Sequence, residues 1–109
     1  MTSHEMLNTY ETLTELTGVM LDAARHGEWD HLAELEQRCR GHVSTLMQAT
    51  PVTLNESEQR ARIASIRAIL QNDAEIRALA EPRLNELQQR LHVIRAGRRG
   101  TQAYAAQHM

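Results

Sequence analysis

Six histidines, fourteen carboxylates and one cysteine are the side chains of this chain that could do chemistry. Zinc sites repeat their ligands at fixed steps along one helical face. His26 and His31 stand five apart across an expected helix break, and His42 and His92 are distant in sequence. Glu28 and His31 make the only Glu-x-x-His pair, the spacing of di-metal carboxylate bundles. That pair falls at an exposed corner. Glu28, Asp30, Glu34 and Glu36 could serve as paired acids for hydrolysis, but the same spacing describes the solvated face of a helix, which is the reading adopted here. Cys39 lies between Arg38 and Arg40, which could activate a thiolate. We read it instead as a small, partly buried helix residue. The absence of lysine excludes a Ser-x-x-Lys nucleophile, and no glycine-rich phosphate loop is present. The expectation is a protein without enzyme activity, metal or cofactor.

The bulk properties agree with a binding protein. A chain of 109 residues is one domain. Phenylalanine is absent, and Trp29, Tyr10 and Tyr104 are the only aromatics. The core must therefore come from Leu, Ile, Met, Val and Ala, which suits helix-on-helix packing better than a sheet. A single cysteine fits a reducing cytoplasm. No apolar run approaches the ~18 residues of a membrane span, and the first residues lack the pattern of a signal peptide. We expect a cytoplasmic protein without membrane insertion. Residues 1–55 carry eight acids and three arginines, whereas residues 56–109 carry six acids and nine arginines. The basic end lacks interleaved aromatics and helix-turn-helix spacing, so direct nucleic-acid binding is not expected. Docking on acidic protein surface, or folding back on the acidic first hairpin, suits it better.

These residues are positioned by amphipathic helices. The first segment, about 3–26, places Met6, Leu7, Tyr10, Leu13, Leu16, Met20, Leu21 and Ala24 on one face, with Ser3 as the expected N-cap. Gly27 ends it by taking the left-handed conformation. Asp30, or Glu28 before it, can cap the second helix, and Trp29 packs over the corner. The second segment, about 30–49, carries the stripe Leu32, Leu35, Cys39, Val43, Leu46 and Met47. Pro51 breaks it, and Thr53 or Asn55 caps a third helix.

The third segment keeps helical spacing from Ile63 almost to Gly97. Continuous from about 54 to 96, it would reach about 65 Å at 1.5 Å per residue. Pro82 either kinks it near residues 78–82 or starts a new helix; a kinked single helix is expected. Gly97 and Gly100 are expected to break the pattern and leave a detachable segment, residues 97–109, that is a short fourth helix or a mobile tail. The fold is thus all-α: an antiparallel bundle of two shorter helices, one long third helix and this C-terminal piece. The long helix overhangs the short hairpin and leaves apolar positions uncovered. Ile66, Leu70 and Arg77 fall on one face, at steps of four and seven. Two aliphatics beside an arginine suit a partner helix bearing apolar anchors and a carboxylate. A homodimer seam through the same stripe is the other use of such a face.

The corner Gly27-Glu28-Trp29-Asp30-x-Leu32, the pair Leu70-x-Asn72, the block Arg83-Leu84-Asn85-Glu86-Leu87 and the tail pair Ala103-Tyr104 resemble the FliT-type flagellar export chaperones. The resemblance covers roughly residues 15–105. It implies a small cytoplasmic helical protein that binds the C-terminal region of the filament-cap protein, prevents its premature assembly and delivers it to the export ATPase and export gate. In some members it implies sequestration of the flagellar master transcription regulator. By position, the partner-binding face carries over to Ile66, Leu70 and Arg77, and then to Leu84, Leu87 and Leu91. Tyr104 falls in a tail that covers this face. Pro82 and the short stretch after Tyr104 depart from the family pattern. A basic-tailed nucleic-acid adaptor is the alternative from another class.

Overall fold

The computed structural model describes the backbone of residues 1–107 and the side chains of residues 1–94. Among the described residues there are three helices and no strand: α1 (Ser3–Arg25), α2 (Trp29–Gln48) and α3 (Glu56–Gln107). The chain divides into two compact units, Met1–Arg77 and Ala78–Met109, with the boundary inside α3.

The N-cap of α1 is Thr2, not Ser3. Thr2 is extended (φ −83, ψ 167), and its Oγ1 accepts from the Glu5 N–H at 3.1 Å. Ser3 is already helical, and an N-cap must lie just outside the helix. The helix ends as expected at Gly27, whose φ is 70. The Gly27 N–H donates to the Ala24 carbonyl at 3.2 Å and the Glu28 N–H to the Ala23 carbonyl at 2.9 Å. This pair of bonds is the Schellman motif, which satisfies the last carbonyls of α1.

Glu28 occupies the N-cap position of α2 without a side-chain cap bond, and Asp30 does not cap either. The preceding turn fixes the Glu28 backbone, and Asp30 is already inside the first helical turn. From there its charge faces the positive end of the helix dipole. Trp29 is half-buried against the core, as expected of the corner residue. α2 ends at Gln48, shortly before Pro51. α3 opens on a reciprocal capping box. The Glu58 N–H donates to Asn55 Oδ1 at 2.8 Å, and the Asn55 N–H donates to Glu58 Oε1 at 3.0 Å.

In the first unit the buried side chains come mainly from α1: Leu13, Met20, Leu21, Ala23 and Ala24, with Thr17 among them. α2 contributes Leu35 and α3 contributes Ile76. α1 is thus the shared helix, and the periodic stripes of α2 and α3 are only partly used on it. In the second unit α3 runs through Pro82. It also continues across Gly97 and Gly100 to Gln107, so the expected separate C-terminal helix is not delimited. Each interior glycine costs only about 1 kcal/mol relative to alanine, which weakens a helix without ending it. Tyr104 lies outside the residues whose side chains are described.

Candidate functional site

The unused parts of the stripes meet over α1. The α1 residues Leu13, Thr17 and Met20 lie at the base of an open groove of about 630 Å³. From α2 it takes Cys39, Val43 and Met47, and from α3 Ile69 and Leu70. Toward Tyr10 the apolar surface continues through Leu46 and Ile66. Polar groups edge it: Glu36, Arg40, Ser44, Gln48 and Asp73. Met47 is 80% exposed, Leu70 61% and Val43 43%. Large aliphatic side chains left in water this way, grouped and rimmed by polar residues, mark a surface that another chain covers.

At 3.6 residues per turn, His42 and Leu46 stay within about 20° of Leu35 around α2 and are half-buried, whereas Val43 and Met47 stand about 80° and 120° from it. Leu35 is buried, Leu32 and Cys39 are half-buried, and by Val43 and Met47 the same stripe has come into solvent. On α3, Ile66 and Ile69 are half-buried while Leu70 points out. Steps of four outrun the 3.6-residue turn, so the row Leu35, Cys39, Val43, Met47 winds off the packed face of α2 into solvent.

The rim charges are largely matched. Arg40 pairs with Glu36 at 2.6 Å and Arg77 pairs with Asp73 at 2.9 Å. The Cys39 Sγ donates to Met20 Sδ at 3.4 Å. Burial, and then the neighbouring Glu36 carboxylate, push the Cys39 thiol above its ordinary pKa. The flanking arginines therefore do not make it a ready nucleophile. Among the described residues no three His, Cys, Asp or Glu side chains converge as a metal site. No helix there is long and apolar enough to cross a membrane.

Of the residues singled out from sequence, Ile66 and Leu70 lie on the groove. Arg77 does not line it, but its partner Asp73 does. Leu84, Leu87 and Leu91 belong to the second unit, where all three are exposed, together with Val93 and Ile94.

A family model described as flagellar protein FliT matches residues 7–106. This chain belongs to the FliT family. The crystal structure of flagellar protein FliT from Bordetella bronchiseptica is similar to it, with 31% sequence identity and a TM-score of 0.69. The match covers 77% of this chain and 96% of that one. FliT is a flagellar export chaperone family rather than an enzyme family. Sequence spacing offered Ile66 and Leu70 of this surface as binding residues and missed the others, Val43 and Met47 of α2 and Ile69 of α3 among them. For Val43 and Met47 the available signal was their steps of four from Leu35, which turn them off the packed face.

Proposed function

We propose that this member of the FliT family is a cytoplasmic chaperone for the filament-cap protein. It holds that protein's C-terminal region as an amphipathic helix in the groove over α1, keeps it from assembling early and passes it to the export ATPase and export gate. The observation that carries this reading is the exposure of Met47, Val43 and Leu70 around one apolar groove. Helix-in-groove recognition buries such side chains at regular i, i+3 and i+4 steps of the guest. Leu84, Leu87 and Leu91 offer further apolar anchors on the second unit. Residues 97–109, with Tyr104, act as a detachable segment that competes with the guest. Deleting them from Gly97 then strengthens binding, and unchanged or weaker affinity removes that part of the proposal.

The test is a calorimetric titration of this chain with the C-terminal segment of the filament-cap protein from the same organism. The comparison is a Met47→Ser, Leu70→Ser variant. Both side chains are exposed in the free chain, so their loss leaves the core intact. Saturable 1:1 binding with a negative heat-capacity change, weakened at least about tenfold in the variant, supports the proposal. Two anchors at roughly 1–2 kcal/mol each account for that factor. Binding that the variant retains in full places the guest elsewhere.

A further inference from the structure

Arg62 is half-buried, and its Nε is sealed from solvent with no hydrogen-bond partner. Its guanidinium carbon lies 5.8 Å from the centroid of the Tyr10 ring, close to the outer limit of cation–π attraction. Glu58, one turn earlier on α3, is the carboxylate that helical spacing would give it. That carboxylate is committed elsewhere. Glu58 Oε1 accepts from the Asn55 N–H at 3.0 Å. Arg62 consequently makes no ion pair among the described residues. Arg38 and Arg67 make none either, but both are exposed, and water satisfies them. Arg83, the other half-buried arginine there, has Glu86 at 3.8 Å.

The position of this unmatched cation is informative. Tyr10 and Ile66 form one end of the apolar groove, and Arg62 lies over Tyr10 and one turn before Ile66. The two arginines nearer the rim are already neutralised by Glu36 and Asp73. Only Nε is sealed, so the two terminal nitrogens of Arg62 stay open to a carboxylate brought to this end of the groove, and none of the described carboxylates occupies them. The guanidinium fork can hold both oxygens of one carboxylate.

We infer that Arg62 reads charge for this groove: it receives a carboxylate of the guest helix at the Tyr10 end while Val43, Met47, Ile66 and Leu70 take the apolar anchors. The inference rests on the groove being the partner-binding surface proposed above. It also moves the acid-recognising role away from Arg77, which has its own carboxylate in Asp73. The guest is then an amphipathic segment with an Asp or Glu about one turn beyond its last apolar anchor.

The test compares wild-type protein and Arg62→Met by calorimetry. The probes are the filament-cap C-terminal segment and the same segment with its Asp and Glu residues changed to Asn and Gln. Thermal unfolding of the two free proteins runs alongside. Methionine keeps the packing of the arginine stem and removes the unmatched charge. The expected result is about tenfold or greater loss of affinity for the acidic segment in Arg62→Met. The two proteins should bind the neutralised segment equally, and free Arg62→Met should melt no lower than wild type. Equal affinity of the two proteins for the acidic segment overturns the inference. Equal losses for both segments, with a lowered melting temperature, also overturn it, because they mark Arg62 as a structural lid on Tyr10. Failure of the wild type to bind either segment overturns the groove reading itself, and this inference with it.

Discussion

Asn72 Nδ2 donates to Thr17 Oγ1 at 3.1 Å, and the same hydroxyl donates to the Thr14 carbonyl at 3.0 Å. Thr17 is the buried polar residue of the first unit. One oxygen therefore both accepts and donates, and α3 is tied to α1 through a buried hydroxyl. Thr17 also lies in the groove, and Asn72 is the neighbour of Asp73 on its edge. The bond ties α3 to α1 at a residue of the groove.

Removing that hydroxyl therefore costs more than a surface bond would. Thr17→Val keeps the shape and leaves the half-buried Asn72 amide without this acceptor. We expect about 1–2 kcal/mol of lost stability in urea unfolding. Asn72→Ala should cost about 1 kcal/mol, and the double variant less than the two single losses combined. Strict additivity would mean that the two side chains do not act as a pair.

Glycines give a signed comparison. Gly27 sits at φ +70, and an added Cβ would stand 3.9 Å from Trp29 Nε1, an ordinary contact. The penalty of Gly27→Ala is thus conformational, and about 1–2 kcal/mol of destabilisation is expected. Gly41 lies inside α2, and a Cβ there meets nothing within 4 Å. Gly41→Ala should stabilise by up to about 1 kcal/mol. Melting temperatures moving in opposite directions for these two alanines is the outcome to look for. A shift in the same direction would contradict the Schellman assignment.

The capping box at the start of α3 makes stability depend on pH. The Asn55 N–H, and then Ser3, hold the Glu58 carboxyl below the usual carboxylate range. A group whose pKa is lowered by folding contributes stability above its unfolded pKa and loses it as pH falls through the lower folded value. Glu58→Gln should therefore flatten the acid side of the stability profile and leave its neutral-to-alkaline shape unchanged. Urea midpoints measured from neutral pH down through the carboxylate range decide it. An unaltered acid slope would show that Glu58 does not contribute to it.

Much of this architecture was legible in the sequence, because it depends on local chemistry. Gly27 and Pro51 each fix a helix boundary through backbone groups within a few residues, and Asn55 was one of the two caps offered for α3, while its reciprocal bond with Glu58 came from the structure. What was missed turns on angles around a helix. The row Leu35, Cys39, Val43, Met47 steps by four, and its first member is buried and its last is 80% exposed. Each step of four adds about 40° beyond a full turn, so Met47 stands about a third of a turn from Leu35 while Leu46 keeps its face and is half-buried. The N-cap moved from Ser3 to Thr2 because both residues can cap and only backbone geometry chooses. Arg77 and Arg62 are equivalent as letters. Asp73 lies four residues before one and Glu58 four before the other, and only the capping box separates their fates.

Cys39 supplies a reporter for the groove. It lines that surface beside Met20, and burial followed by Glu36 raises its pKa. Little thiolate is present at neutral pH, so iodoacetamide should alkylate it more slowly than a free cysteine peptide. The rate should rise only on the alkaline side. Glu36→Gln should speed the reaction, because it removes the second of the two causes. A guest helix over Val43 and Met47 should cover the thiol, and alkylation followed by mass spectrometry should slow in proportion to occupancy. Reactivity at neutral pH equal to that of a free cysteine would contradict the buried thiol. Unchanged alkylation at saturating guest would place the guest away from α2, leaving Leu84, Leu87 and Leu91 of the second unit as the anchors to test.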